Sequence, residues 1–530
     1  MSPPARWLRG ARVGFARLPG LRMGRIPDAP ALAVRDLWPG DPGRGALLMK
    51  GELEMSGARS PLRPGGWAEA GGSASLRAQA HGFTWLRDLC ALGTDGARLR
   101  ARALVAEWIA QGSSDPVSRR PDVAGARIAA WLGHYDFFAA SAEDAFRQRL
   151  MARLVTDARW LAALLPGDEI DGRALTALKG LVAAAVTLPD HAAFLTKALR
   201  QLPQEIGRQV LPDGCHAERS PAAQLAALQD LIEIRTLLHA AQASPPPALA
   251  AAIERMAPAL RALRHGDGGL VLFNGAREEP ASLIDLVLVQ AGRGGRAPAG
   301  LAEGGFHRLQ AGRSVVIVDA GAPPPPGLDR LAHAGTLSME MSVGRDRLIV
   351  NCGASPAALG EWHDASRSTA AHSTLTVGDM NSSELKPAGL GRRPEKVEVQ
   401  RQEANGAHWL EASHDGYRKP FGVLHRRRLY MADSGEDVRG EDTVEGDVPR
   451  AYTLRFHLHP GVTAAVQQEG EAVLLRVASG SWRLRAEGAK LSLEESVYLG
   501  GPEPRRAEQV VLSGHADGPQ TVKWAITRAG

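Results

Sequence analysis

HAGTLSMEMSVGRDRLIVNCG, residues 333–353, is the stretch that decides the fold, because here the hydrophobic pattern reads as sheet and no longer as helix. Leu337, Met339, Met341 and Val343 alternate with Ser338, Glu340 and Ser342, the period of two that sends successive side chains to opposite faces of a strand. Gly344-Arg345-Asp346 then turns the chain into Leu348-Ile349-Val350, so the stretch predicts a β-hairpin. Further strand-like runs lie at 314–318, 374–377, 396–399, 454–458, 472–477, 482–486 and 522–526. Many short strands with Gly-rich turns predict a sandwich or a stack of antiparallel sheets.

Toward the N-terminus the period changes. Between 81 and 265 apolar residues recur at helical spacing, in segments separated by Pro, Gly and Asp. Helices are expected at 81–92, 98–111, 123–135, 143–165, 173–188, 192–210, 221–243 and 249–264. Such a series packs helix on helix, as a bundle, solenoid or toroid. Asp122 is expected to cap the helix that holds Ile128 and Trp131, and Pro166-Gly167 to stop the one that follows. The Gly/Arg/Pro-rich run 292–298 reads as a linker. The resulting division is an irregular segment at 1–80 docked on the helices, a helical domain at 81–295 and a β-sheet domain at 300–530.

Composition agrees with two globular domains. The chain has 530 residues, 44% hydrophobic and 23% charged, which is neither disordered nor membrane-like. Its net charge of +5, with Arg far outnumbering Lys, suits anionic partners: carboxylate, sulfate or phosphate. No basic motif with interleaved aromatics appears, so nucleic acid is not expected. Cys90, Cys215 and Cys352 are too scattered for a disulfide framework or a cysteine-based zinc motif. No apolar run of about 18 residues exists to span a membrane. Residues 1–25 are basic but lack the apolar core and cleavage site of a standard signal peptide.

Four constellations gather chemistry-bearing side chains. LPDGCHAERSP (211–221) brings Asp213, His216, Glu218 and Arg219 into one interhelical turn, although Asp213 and Ser220 also suit helix ends. RHGDGGLVLFN (264–274) sets Asp267 before two glycines, which either approach a ligand or form an ordinary turn. His333, Asn351 and His372 stand at strand ends where three polar groups converge, a zinc half-site with one neutral amide. Arg455, His457 and His459 share one face of a strand, suited to an anion or to solvent.

These blocks, with HGFTWLRDL (81–89) and RSTAAHSTLTV (367–377), resemble the heparinase II/III-like family over most of the chain. The resemblance implies an N-terminal (α/α) toroid followed by antiparallel β-sheets. It also implies a polysaccharide lyase that cleaves uronate-containing glycans by β-elimination. In that chemistry a base removes the proton α to the carboxylate, a cation or donor stabilises the enolate, and an acid protonates the leaving oxygen. His216, Glu218 and His333 are the implied catalytic groups, with Tyr135 a substitute base. Arg219, Asp267, Arg455, His457 and Trp131 would bind an acidic polysaccharide, and His333, His372 and Asn351 would hold zinc, the one cofactor implied. The family implies the cell envelope or periplasm, although the N-terminus supplies no clear signal peptide, which leaves a cytoplasmic location as the alternative.

The sequence departs from the family pattern at five positions. Where active relatives carry Tyr and His after the acidic turn, this chain has Ala223 and Gln224. Where the β-domain motif reads His-x-His-x-Asp, it has Leu331, His333 and Gly335. The Asp of the zinc site is Asn351. These departures imply the alternative of a catalytically lapsed, glycan-binding member of the same fold.

Overall fold

A computed structural model describes residues 26–55, 57–62, 73–111, 114–168, 170–189, 191–292, 295–354, 360–447, 449–467 and 470–529. The stretch read for a signal peptide lies outside them. Contacts divide the chain into two compact units, one of described residues up to 209 with 226–253, the other of 210–225 with 254–529. This differs from a break at the 292–298 linker. The 211–221 loop and the 264–274 turn belong with the sheets, because their hydrogen bonds run to sheet residues.

The helical unit is built on Asp95–Gln111, Pro121–Gly133, Asp144–Leu164, Arg173–Thr187 and Ala192–Gln209, close to the spans read from periodicity. Asp122 is not the cap expected. Pro121 takes the first helical position and Arg120 the cap, so Asp122 sits inside the first turn. There its carboxylate faces the positive helix end and pairs with Arg120 at 3.0 Å. The expected helix at 81–92 is two helices, Ala74–Gly82 and Leu86–Leu92, broken at Phe83 with φ 56°. Tertiary packing sets that break: the Phe83 ring lies edge-on to Trp108 and Trp131, with centroids 5.7 and 5.1 Å away. The described residues before 81 include regular structure not expected there, the helix Pro42–Met49 and a hairpin of Glu52–Met55 and Ala58–Pro61. Pro121–Gly133 and Arg173–Thr187 cross backbone to backbone, since a Cβ on Gly180 would stand 2.2 Å from the Gly125 Cα.

The other unit holds two large antiparallel sheets and a two-stranded ribbon of Leu385–Lys386 and Gly389–Leu390. One runs Lys490–Tyr498, Arg505–Ala516, Arg450–Leu458, Asp346–Val350, Met339–Val343, Ser314–Asp319, Phe306–Ala311, Gly300–Leu301, with Leu375–Val377 beside Arg450–Leu458. The second runs Val397–Ala404, Ala407–His414, Leu424–Met431, Asp437–Glu445, Gln520–Ala529, Gly480–Glu487, Ala472–Val477, Thr463–Gln467. The sheets share an apolar layer that includes Met339, Met341 and Leu454 from one and Leu429, Val438 and Ile526 from the other. The deciding hairpin forms at Met339–Val343 and Asp346–Val350, but both faces of Met339–Val343 are buried. Alternation there separates apolar from polar interior, not core from solvent.

A buried ion pair ties the sheets. Arg427 Nε donates to Asp442 at 2.8 Å, and its Nη1 crosses to the carbonyls of Leu337 and Ser373 at 2.7 and 3.0 Å. His425 Nε2 and Trp524 Nε1 also bond to Asp442, at 2.7 and 2.8 Å. Burial alone would raise the Asp442 carboxyl; Arg427 and His425 overcome it and hold the group well below the usual carboxylate range. Removing one partner strands the other charge. Asp442→Ala is therefore expected to lower the stability of the sheet unit by about 3–5 kcal/mol, measured by chemical denaturation followed through tryptophan fluorescence. A loss below about 1 kcal/mol, the scale of a surface pair, would remove the pair from this role.

Candidate functional site

The 211–221 loop is a closed turn built by its own side chains. Val210 bridges to His216, Asp213 Oδ1 accepts from the Cys215 amide at 3.0 Å, and its Oδ2 accepts from Gly304 at 2.8 Å. Gln224, in the first turn of the Pro221–Ala240 helix, clamps the loop from inside. Its Oε1 accepts the His216 amide at 2.6 Å, and its Nε2 donates to the carbonyls of Gly214 and Met256 at 2.9 and 3.1 Å. His216 and Glu218 are buried, with the Glu218 amide 3.3 Å from His216 Nδ1 and the carboxylate 3.9 Å from it.

Arg219 does not face open space. Its Nε donates to Gly304 O at 2.6 Å, Nη1 to Ala322 O at 2.8 Å, and Nη2 to Asp319, while the guanidinium lies 4.9 Å over the Phe306 ring. Both partners are buried. Burial pushes the Asp319 carboxyl up against the pull of Arg219. Arg219 adopts φ 51° and Asn274 φ 44°, left-handed conformations that non-glycine residues keep only where the surroundings over-determine them. The surroundings do so here: Asn274 Nδ2 donates to Arg219 O at 2.9 Å, and Asn274 Oδ1 accepts the His333 amide at 3.1 Å.

Through Asn274 the loop reaches the histidine pair. His333 Nδ1 lies 3.1 Å from His372 Nε2, and His372 Nδ1 donates to Ser368 O at 2.7 Å. Burial lowers both imidazoles, His333 well below its ordinary value and His372 to about 4, so both are neutral near pH 7. The third expected donor is engaged elsewhere. Asn351 Nδ2 donates to Glu340 at 3.1 Å and its Oδ1 accepts from Ser373 at 2.8 Å. Two imidazoles and a committed amide do not fit zinc. Among the described residues no group of three His, Cys, Asp or Glu could hold a metal ion. At Gly335, where the family motif carries Asp, a Cβ would come within 2.6 Å of the His372 ring. A carboxylate there requires the ring to move.

Glu340 was read as one of the polar residues of an alternating strand, yet it is fully buried. It accepts from His265 Nε2 at 2.8 Å and from the amides of Leu272 and Asn351 at 3.1 and 3.0 Å. The ligand-approach reading of 264–274 therefore gives way to the turn. Asp267 caps Gly269 at 2.8 Å and pairs with Arg347 at 2.8 Å, leaving no free carboxylate for substrate.

The remaining expectations are dispersed. Arg455 bonds to Thr376 at 3.2 Å, His457 to Ser496 and Ala370, and His459 meets the Tyr498 ring edge-on, so the strand-face row is three separate contacts. Trp131 is a core residue of the helical unit, 0% exposed, and presents no face to a sugar. Tyr135 is also buried there, and burial raises its phenol above the ordinary value, the wrong direction for a base. Sequence reading missed Asp319, Gln224 and Glu340. Each carried a weak signal as a polar residue next to or within an apolar run.

The description "Heparinase II/III-like, C-terminal" matches residues 293–525. FtsZ-localized protein C of Caulobacter vibrioides (strain NA1000 / CB15N) is 31% identical over 533 residues, covering 95% of this chain and 91% of that protein. Among solved structures, heparinase III superposes with a TM-score of 0.77 at 13% identity, covering 98% of this chain and 89% of its own. The heparan sulfate lyase HepC of Pedobacter heparinus gives 0.60 at 16% identity, covering 99% and 88%. At these identities the solved structures show the fold: a helical toroid followed by antiparallel β-sheets.

The buried histidines make stability depend on pH. Folded His372 and His457 sit at about 4 and about 3, both pushed down by burial, against about 6.5 unfolded. The unfolded chain therefore binds more protons as pH falls below about 6.5. Stability is complete above that value and is lost progressively toward the folded values. By pH 5 each is expected to contribute roughly 2 kcal/mol of destabilisation. Denaturant midpoints at about pH 7 and pH 5 measure this, and a profile flat across that interval would contradict neutral burial.

Proposed function

We propose that this chain, which belongs to the heparinase II/III-like family, is a catalytically lapsed member that uses the lyase fold as a binding scaffold at sites of FtsZ assembly. The engagement of Arg219 carries this reading. The cation that would neutralise a uronate carboxylate is buried against Asp319 and two carbonyls. Swinging it toward a substrate would leave Asp319 as an uncompensated buried charge, a change on the order of 3–5 kcal/mol.

The replaced positions support the same reading. Ala223 has no ionisable group, Gln224 is a clamp, and Gly335 fits because it lacks a side chain. The name of the Caulobacter relative supports association with FtsZ and a cytoplasmic location, in place of the envelope that the family alone would suggest. Among the described residues no helix is long and apolar enough to cross a membrane.

A second reading keeps catalysis: His216 or His333 would transfer the proton in a β-elimination on an acidic polysaccharide. The retained contact of His333 with His372 favours it. The two readings separate in one pair of measurements. Purified chain incubated with heparan sulfate, chondroitin sulfate and alginate is expected to produce no absorbance from a new C=C bond. A fluorescent fusion is expected to concentrate where FtsZ does. Turnover on any of these glycans that is abolished by His216→Ala would replace the scaffold reading with the lyase reading, and a diffuse fusion would remove the FtsZ association.

A further inference from the structure

The helical unit contains a cavity of about 240 Å³ that none of His216, Glu218, Arg219, His333 or His372 lines. Val34, Leu37, Ala126, Ala130, Ala183 and Leu237 give it apolar walls of mostly small residues. The volume falls below the range of pockets for drug-sized molecules, so it suits a ligand of few heavy atoms.

Charged side chains interrupt these walls. Asp36, Arg87, Lys179 and Glu233 line the cavity, and each side chain keeps between 10% and 24% of its surface accessible. Arg87 directs Nε and Nη2 at the same Asp36 oxygen, at 3.0 and 2.9 Å. Lys179 is shared between two carboxylates, Asp230 at 2.7 Å and Glu233 at 3.2 Å. His134, 3.7 Å from Asp36, is lowered by burial and adds little charge near pH 7. Three carboxylates therefore share two cations. The excess falls on Glu233, whose carboxyl is raised by burial and by the neighbouring Asp230 and Asp36, against the pull of Lys179 and Arg87.

Bonding capacity is open on both signs. Glu233 Oε1 accepts from Trp38 Nε1 at 2.5 Å and from Lys179 at 3.2 Å, whereas Oε2 meets only the same ammonium among the described residues. Arg87 keeps Nη1 without a partner among them, and Arg35, which also lines the cavity, is exposed and makes no ion pair with them. The last turns of Pro121–Gly133 and Pro221–Ala240 supply Ala130, Gly133, Leu237 and Ala240 to the lining, and the C-terminal end of a helix favours a cation. A ligand with one charge would answer one mismatch and leave the other. A molecule with an ammonium and a carboxylate answers both.

We propose that this cavity binds a small aliphatic amino acid as its zwitterion, with the ammonium on Glu233 Oε2, the carboxylate on Arg87 Nη1 and Arg35, and the side chain against the alanines. None of its lining comes from the 211–221 loop or the histidine pair, so the site stands whether or not that loop is catalytic.

Isothermal titration calorimetry on the full chain near pH 7, with alanine, valine and leucine as probes, tests it. At least one is expected to bind. The amine lacking its carboxylate and the acid lacking its amine, for leucine isopentylamine and isocaproate, are each expected to bind about tenfold more weakly. Arg35→Ala and Glu233→Gln are expected to weaken the amino acid by a similar factor. Arg35 is exposed, so its variant keeps the fold; if Glu233→Gln loses cooperative unfolding, Arg35→Ala and the two analogues decide. Binding of none of the three amino acids, an analogue binding as tightly as its parent, or full binding by Arg35→Ala would each overturn the proposal.

Discussion

The buried pairing of Arg219 with Asp319 is the interaction on which the site depends. A guanidinium without water must fill its donors from the protein, and Arg219 does so with two carbonyls and a carboxylate drawn from 304–322. The consequence runs further than the pair. Because Arg219 is held at φ 51°, its own carbonyl meets Asn274, and Asn274 in turn holds the amide of His333. One ion pair thereby orders the helix-linking loop, the 264–274 turn and the start of the β-hairpin segment as a single network.

The same logic recurs through the sheet unit. Glu340 collects His265, Asn351 and two amides inside a strand with no solvent face, and Asp442 collects Arg427, His425 and Trp524 between the two sheets. Buried charges of this kind contribute less net stability than apolar residues of equal volume, yet each strongly disfavours arrangements that leave it unpaired. Register and sheet-to-sheet alignment follow from where these partners stand. An apolar layer alone would tolerate sliding.

This economy of partners explains why a lyase fold supports a non-catalytic reading. Catalytic groups need a lone pair or a donor directed at substrate. Here the corresponding positions hold groups whose bonding capacity is directed inward: Gln224 at three protein atoms, Asn351 at Glu340 and Ser373, Arg219 at Asp319. The fold survives such replacements because it rests on helix crossings such as Gly125 on Gly180 and on the shared apolar layer, neither of which involves Ala223, Gln224, Gly335 or Asn351.

The order of helices then strands was determined by the sequence alone, because hydrophobic period is a local property: 3.6 in 121–209, two in 337–343 and in 482–486. Ser220 before Pro221 was equally legible, since capping is a contact between near neighbours. The failures all involve distance. Phe83 breaks a helix because of Trp108 and Trp131, Trp131 is core and not a platform because of the same cluster, and Glu340 is interior because His265 lies 75 residues earlier. The family motifs located the 211–221 loop and the histidine pair, and the missing Tyr, His and Asp could be read directly. Only the tertiary structure decided what the remaining residues do, because whether Arg219 meets a substrate or a buried Asp319 depends on a partner 100 residues away, which no local pattern encodes.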